Sequence, residues 1–181
     1  WLKSDNLQPY NSFGNGSAMR VSPIGWAYAD MDKTQKLARD SAKVTHNHPE
    51  GIKGAVAIAS AIFLARKKFD KDYIRLYISD KFNYDLNRTL QNIRTTYSFD
   101  LTCQGSVPES IICFLESDSY EDAIRKAVSL GGDADTQACM AGSIAEAYYG
   151  VPNGIKKMIY KYLPDDMINI CVKFTDKFIN S

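Results

Sequence analysis

Long apolar runs are missing from this chain. The longest strongly apolar stretch, Gly54 to Ala65, falls well short of the roughly 20 residues a membrane-spanning helix needs. It is rich in small residues and runs into Arg66-Lys67-Lys68, which suits a buried helix with cations at its negative end. Histidine is scarce, with two residues, and none of the four cysteines forms a Cys-x-x-Cys pair. A zinc site therefore lacks ligands, and the thiols read as reduced and mostly buried, as in a cytoplasmic protein. Charge of one sign is missing too. Lysine plus arginine number 22 against 21 aspartate plus glutamate, a net charge of +1. That balance excludes a general field for nucleic acid or an anionic membrane. Any phosphate-bearing partner must be held by a local site. No signal peptide and no methionine open the chain, which begins at Trp1; it reads as a truncated or processed product. Repeats, low-complexity segments and sustained period-2 runs are absent, which argues against sheet.

What is present is helical period. The 181 residues are 45% hydrophobic, enough for one domain that buries roughly 70% of its unfolded surface. Residues 1–20 carry many Asn, Ser, Gly and Pro and read as extended or looping. Helices are expected from Asp32, from Pro49 to Lys68, from Asp70 to Lys81 and, more weakly, from Asn87 to Thr96. Ser106-x-x-Glu109 has the capping-box pattern and places Pro108 in a first turn. Ser119-x-x-Asp122 opens another helix, which Gly131-Gly132 ends. Asp133 to Tyr149, Pro152 to Leu163 and a last helix after Pro164 complete an all-α reading. Ile155, Met158, Ile159 and Tyr162 share one side of the penultimate helix.

Four segments carry chemistry. Gly131-Gly132-Asp133-Ala134-Asp135-Thr136 puts two carboxylates and a hydroxyl at a helix start. Such hard oxygens suit Mg²⁺, and plain N-capping fits the same residues. In Gly14-Asn15-Gly16-Ser17-Ala18-Met19-Arg20, a turn entering a helix can offer backbone N–H groups to a phosphate, with Arg20 adding a charged contact; an ordinary loop fits as well. Thr45-His46-Asn47-His48-Pro49-Glu50-Gly51 brings two histidines beside an acid. Helix-start chemistry plus ligand hydrogen bonding suits it better than zinc. Gln104-Gly105-Ser106-Val107-Pro108 is a turn before an apolar helix.

In this order, the four segments resemble the ADP-ribosylglycohydrolase family. The matching runs are Ser12 to Arg20 with Pro23-Ile24-Gly25, Thr45 to Glu50, Gln104 to Pro108, and Gly131 to Thr136 continuing into Ala141 to Gly150. The resemblance implies a compact orthogonal helical bundle with a dinuclear Mg²⁺ centre (Mn²⁺ in some members) and a cleft for ADP-ribose. It gives Asp133, Asp135 and Thr136 the part of metal ligands. It gives Gly14, Asn15, Gly16, Ser17 and Met19 the part of wrapping the diphosphate and ribose, and makes His46, His48 and Ser106 cleft-lining residues. The implied reaction is hydrolysis of the N- or O-glycosidic bond between ADP-ribose and an acceptor, on an ADP-ribosylated protein or a small molecule. The family's N-terminal Thr-Asp-Asp-Thr motif and the glutamate near the scissile bond have no match here. No catalytic acid or base is therefore assigned, and a missing N-terminal segment, from the same polypeptide or a separate chain, is expected to complete the site. A non-catalytic ADP-ribose-binding or crystallin-like structural protein is the competing expectation.

Overall fold

In the computed structural model, which describes residues 7–179, the chain forms helices without strands among those residues. One isolated antiparallel bridge, Gly14 to Thr102, is the nearest approach to sheet. The helices run α1 (Gly16–Met19), α2 (Ser22–Ala27), α3 (Met31–Lys43), α4 (Pro49–Arg66), α5 (Lys71–Phe82), α6 (Leu90–Arg94), α7 (Cys103–Leu115), α8 (Tyr120–Ser129), α9 (Ala134–Tyr149), α10 (Asn153–Tyr160) and α11 (Asp165–Phe178).

Helix α4 is the axis of the bundle. Every residue from Gly54 to Ala65 is buried, as expected of a helix with no polar face. It packs against α1, α2, α3, α5, α7 and α9. Its start is set by Pro49 in the first turn and by His48, whose Nδ1 accepts from the Glu50 N–H at 3.1 Å. The core also takes in Ile74, Ile78, Ile111, Ile112, Phe114 and Ile144, each with no exposed surface. Burying each such side chain contributes about 1.5–3 kcal/mol relative to leaving it exposed. Some buried polar groups link the helices. Gln35 donates to the Ser60 hydroxyl and to the Tyr77 hydroxyl, both at 3.0 Å, and so ties α3, α4 and α5 together.

Most expected helix starts sit within a residue or two of the observed ones, and a side chain caps several of them. Asp30, Asp70 and Ser119 accept from the backbone N–H groups of Lys33, Tyr73 and Asp122. Helix α7 differs: its cap is Thr102, which accepts from Gly105 N at 3.1 Å, not Ser106. Ser106 lies inside the helix and donates to the Thr102 carbonyl at 2.6 Å. Pro108 is therefore an interior proline, and the expected capping box does not form. The bridge to Gly14 starts α7 one turn early, since Cys103 N donates to the Phe13 carbonyl at 2.9 Å. Two further expectations are corrected. Within the looping 1–20 region, Gly16–Met19 is a short helix. The thiols divide evenly: Cys103 and Cys113 are buried, Cys139 and Cys171 exposed. Burial raises the Cys103 thiol to about 11 and the Cys113 thiol to about 12. The apolar sides of α10 and α11 contribute no buried residue, and Tyr162 is 82% exposed. Among the described residues, no helix is long and apolar enough to cross a membrane.

Candidate functional site

Asn15 is where the separated segments meet. The extended run before it is pinned to the entry of α7, with Asn15 N donating to the Leu101 carbonyl at 2.8 Å. Asn15 occupies the N-cap position of α1 but its side chain does not cap that helix. Its amide nitrogen instead points at Asp133 Oδ2 (2.7 Å), Thr136 Oγ1 (3.1 Å) and Ser106 Oγ (3.2 Å). An amide carries only two N–H donors, so three acceptors share them. One buried nitrogen thereby joins the Gly14–Met19 loop to Ser106 on α7 and to both Asp133 and Thr136 at the head of α9.

Gly131 and Gly132 both take left-handed backbone, with φ of 77° and 71°, a conformation glycine adopts without the Cβ penalty. They deliver Asp133 to the N-cap position of α9, yet its carboxylate makes no cap hydrogen bond. It faces the Thr136 hydroxyl in a close contact and the Asn15 amide. Thr136 Oγ1 also lies 3.0 Å from the Asp133 carbonyl. Asp133 is buried. Asp135 is exposed and its Oδ1 accepts from Thr136 N at 3.0 Å. The donor set fits a hard cation in kind: carboxylate and hydroxyl oxygens from Asp133 and Thr136 converge, with Asp135 one residue away. In number it is small. Mg²⁺ demands a near-octahedral oxygen shell, part of it usually water. Among the described residues no group of three or more His, Cys, Asp or Glu side chains is arranged to hold a metal.

The histidines play different parts. His46 is buried, and its Nδ1 is 2.7 Å from Thr45 Oγ1. That hydroxyl also accepts from the Arg20 guanidinium at 2.9 Å. Burial, and then the Arg20 charge, lower the imidazole pKa and keep the ring neutral. Nε2 lies 3.2 Å from where a Cβ on Gly16 would sit; a glycine there lets the ring approach the loop. His48 caps α4 and meets the Phe13 ring edge-on at 5.4 Å.

Arg20, expected near a phosphate, is turned away to the Ser41 carbonyl and Thr45. Ser17 is buried and donates to the Gly51 carbonyl at 2.7 Å, which occupies its hydroxyl within the fold. Met19 is half-exposed at the end of α1. Two residues with no sequence signal join the group. Gln137, next to Thr136, donates from Nε2 to the Tyr97 hydroxyl at 2.6 Å, and its buried Oε1 has no hydrogen-bond partner. Burial first, then the charges of Glu109, Asp100 and Asp133, push the Tyr97 hydroxyl pKa upward. Tyr97 thus stays a neutral hydroxyl beside the Asp133 turn.

Comparison with known proteins points one way. A profile described as ADP-ribosylglycohydrolase matches residues 2–178. Human ADP-ribosylhydrolase ARH3 is 32% identical over 187 aligned residues, covering 77% of this chain and 51% of the relative. An uncharacterized protein of Archaeoglobus fulgidus is 31% identical over 148 residues, covering 73% of this chain and 48% of that protein. A solved structure titled ADP-ribosylglycohydrolase-related protein complex superposes with a TM-score of 0.65 at 25% identity, covering 81% of this chain and 54% of that one. The chain spans about half the length of the curated relatives it matches. With helices, glycine loop and acidic turn laid out in this way, the chain belongs to the ADP-ribosylglycohydrolase family.

Proposed function

We propose that this chain carries the ADP-ribose-facing and part of the metal-binding apparatus of a Mg²⁺-dependent hydrolase. That enzyme cleaves the N- or O-glycosidic bond between ADP-ribose and a protein or small-molecule acceptor. The observation that carries the reading is the meeting of Asn15, Ser106, Asp133 and Thr136 in one buried hydrogen-bonded group, formed by segments up to 121 positions apart. Plain N-capping of α9 would not need it, since Asp133 makes no cap bond.

In this reading Asp133, Asp135 and Thr136 hold Mg²⁺ or Mn²⁺. The dinuclear centre is completed by ligands from a segment outside this chain, on the same or a separate polypeptide. When bound, the metal supplies Lewis acidity that polarises water and orients sugar hydroxyls. The chain's own residues do the positioning. Asn15 holds the Asp133 carboxylate in place by a charge-assisted hydrogen bond. The Gly14–Met19 loop offers backbone N–H groups to the diphosphate. His46, neutral, presents its Nε2 edge beside that loop, and His48 and Ser106 line the cleft wall. No side chain here is assigned as general acid or base. A cytoplasmic setting suits four cysteines of which none forms a disulfide.

The test is calorimetric titration of ADP-ribose into this chain with and without Mg²⁺, with human ADP-ribosylhydrolase ARH3 as positive control. Binding that tightens with Mg²⁺, and loses that gain in Asp133→Asn, is the expected result. Binding indifferent to Mg²⁺ supports a non-catalytic ADP-ribose binder instead. No binding in either condition removes the functional reading.

A further inference from the structure

Beside the Asp133 turn lies a cleft of about 230 Å³ between the 96–100 loop and α7. Arg88, Thr96, Tyr97, Ser98, Asp100 and Glu109 contribute its polar wall. Glu109 is 5% exposed. Its Oε1 accepts from the Arg88 guanidinium at 2.6 Å, while its Oε2 is buried without a hydrogen-bond partner. A buried carboxylate oxygen left unpaired is costly, and such groups in native folds call for an explanation. Asp100 is the second acid. Its Oδ1 accepts from Thr102 N at 2.7 Å. Its Oδ2 is pressed so close to Gly105 that a Cβ there would lie 1.8 Å from it. A glycine on that turn of α7 is therefore required for the carboxylate to stand at the cleft.

The charges do not balance. Two carboxylates face one guanidinium among the lining side chains, which leaves one negative charge in surplus. Hydroxyls of Thr96, Tyr97 and Ser98 add neutral acceptors. This arrangement suits one positive charge carried on several N–H donors. A compact metal ion fits it less well, since one of the two carboxylates is already tied to Arg88 and such an ion demands a full shell of oxygens. We propose that this cleft binds the ammonium or guanidinium head of a basic side chain, which donates to Glu109 Oε2 and to the Asp100 carboxylate. Burial outweighs the Arg88 contacts in raising the Glu109 pKa.

The cleft also has a place in the proposed reaction. Tyr97 forms its wall, accepts from Gln137 one residue beyond Thr136, and packs on Gly132 immediately before Asp133. As to the source of the cation, the inference rests on the function proposed above: a basic residue flanking the modified one on an ADP-ribosylated polypeptide. The cleft's affinity for a cation does not depend on it.

The experiment titrates agmatine into this chain by calorimetry, with tetramethylammonium as a cation lacking N–H donors. Agmatine is expected to bind saturably. Tetramethylammonium, Asp100→Asn and Glu109→Gln are each expected to weaken the interaction at least about tenfold, the effect of losing a charge-assisted hydrogen bond. The Asp100→Asn side chain keeps an oxygen for Thr102 N, so that variant stays folded, which thermal melting verifies. Absent saturation, or equal binding by wild type and both variants, overturns the proposal. A peptide with one arginine is then compared with its citrulline counterpart. Preference for arginine supports a side-chain ligand; agmatine binding without that preference overturns the side-chain source. ADP-ribose is titrated into the same samples. Agmatine binding without ADP-ribose binding refutes the functional reading alone, and the converse refutes the cation cleft alone.

Discussion

The Asn15 amide nitrogen lies 2.7 Å from the Asp133 carboxylate across 118 positions of sequence. It is a charge-assisted contact between two buried side chains, and it fixes the glycine loop of α1 against the head of α9. Neither partner does the local job its position suggests, since neither caps its own helix.

Replacing Asn15 should therefore damage stability and site together. Asn15→Ala leaves a buried carboxylate one donor short, a loss of about 1–3 kcal/mol. Asn15→Asp costs more at neutral pH, because a second carboxylate replaces the donor at hydrogen-bond distance. Urea unfolding measures both. Adding Mg²⁺ should recover more of the loss in Asn15→Asp than in Asn15→Ala, since the acid adds a ligand to those both variants keep for a cation that binds the folded state. Equal stability of all three proteins would mean that the contact carries no weight.

The two glycines before Asp133 predict a graded pair. Gly131 has φ 77° with open space where a Cβ would go; Gly132 has φ 71° and a Cβ would meet Tyr97 Cε1 at 2.9 Å. Gly131→Ala should cost about 1–2 kcal/mol, the penalty of a left-handed residue with a side chain. Gly132→Ala adds a clash with a ring held by Gln137 and should cost about 1–3 kcal/mol more. It should also displace Tyr97 and weaken ADP-ribose binding, which Gly131→Ala should spare. Melting temperatures and a paired ADP-ribose titration separate the two effects.

The helices were legible where one short-range cue decides. Asp70 and Ser119 cap helices whose apolar stripes begin right behind them, so α5 and α8 could be placed to within a residue. Helix α7 was misplaced because two hydroxyl residues compete for the cap. Pro108 favours Ser106 by local rule, while the pairing of Phe13 with Cys103 favours Thr102. That pairing joins residues about ninety positions apart and leaves no trace in spacing. The candidate site divides in the same way. The acidic turn and the glycine loop stand out as residue patterns. That Asn15 is the link between them, that Arg20 turns away, and that Tyr97 and Gln137 stand beside the turn are consequences of packing alone.

The competition at α7 can be measured. Thr102→Ala removes the oxygen that accepts from Gly105 N and should cost about 0.5–2 kcal/mol. Thr102→Ser, which keeps the hydroxyl, should restore most of it. Ser106→Ala keeps the Thr102 cap and removes an acceptor of the Asn15 amide, together with the hydroxyl's own bond to the Thr102 carbonyl. Its loss should be smaller in denaturation and larger in ADP-ribose affinity. The reverse order would place the functional cap at Ser106 after all.

Glu109 sets the last expectation, through pH. Burial holds its folded pKa above the ordinary 4.5, against the opposing hydrogen bond and charge of Arg88. Between 4.5 and the raised value the folded chain binds a proton that the unfolded chain releases, so in that window folding stability falls as pH rises. Below it the protonated acid is tolerated in both states, and the contribution is fully present. Glu109→Gln cannot titrate. Its stability should therefore improve relative to wild type as pH climbs from 4.5 toward neutrality, and the gap should be smallest on the acid side. Glu146, whose pKa burial also raises, is unchanged in both proteins and cancels in the difference. Parallel urea titrations at several pH values read that difference directly. A gap that stays constant, or shrinks as pH rises, would show that Arg88 already compensates the buried carboxylate in full, with no charge left over for a second cation to offset.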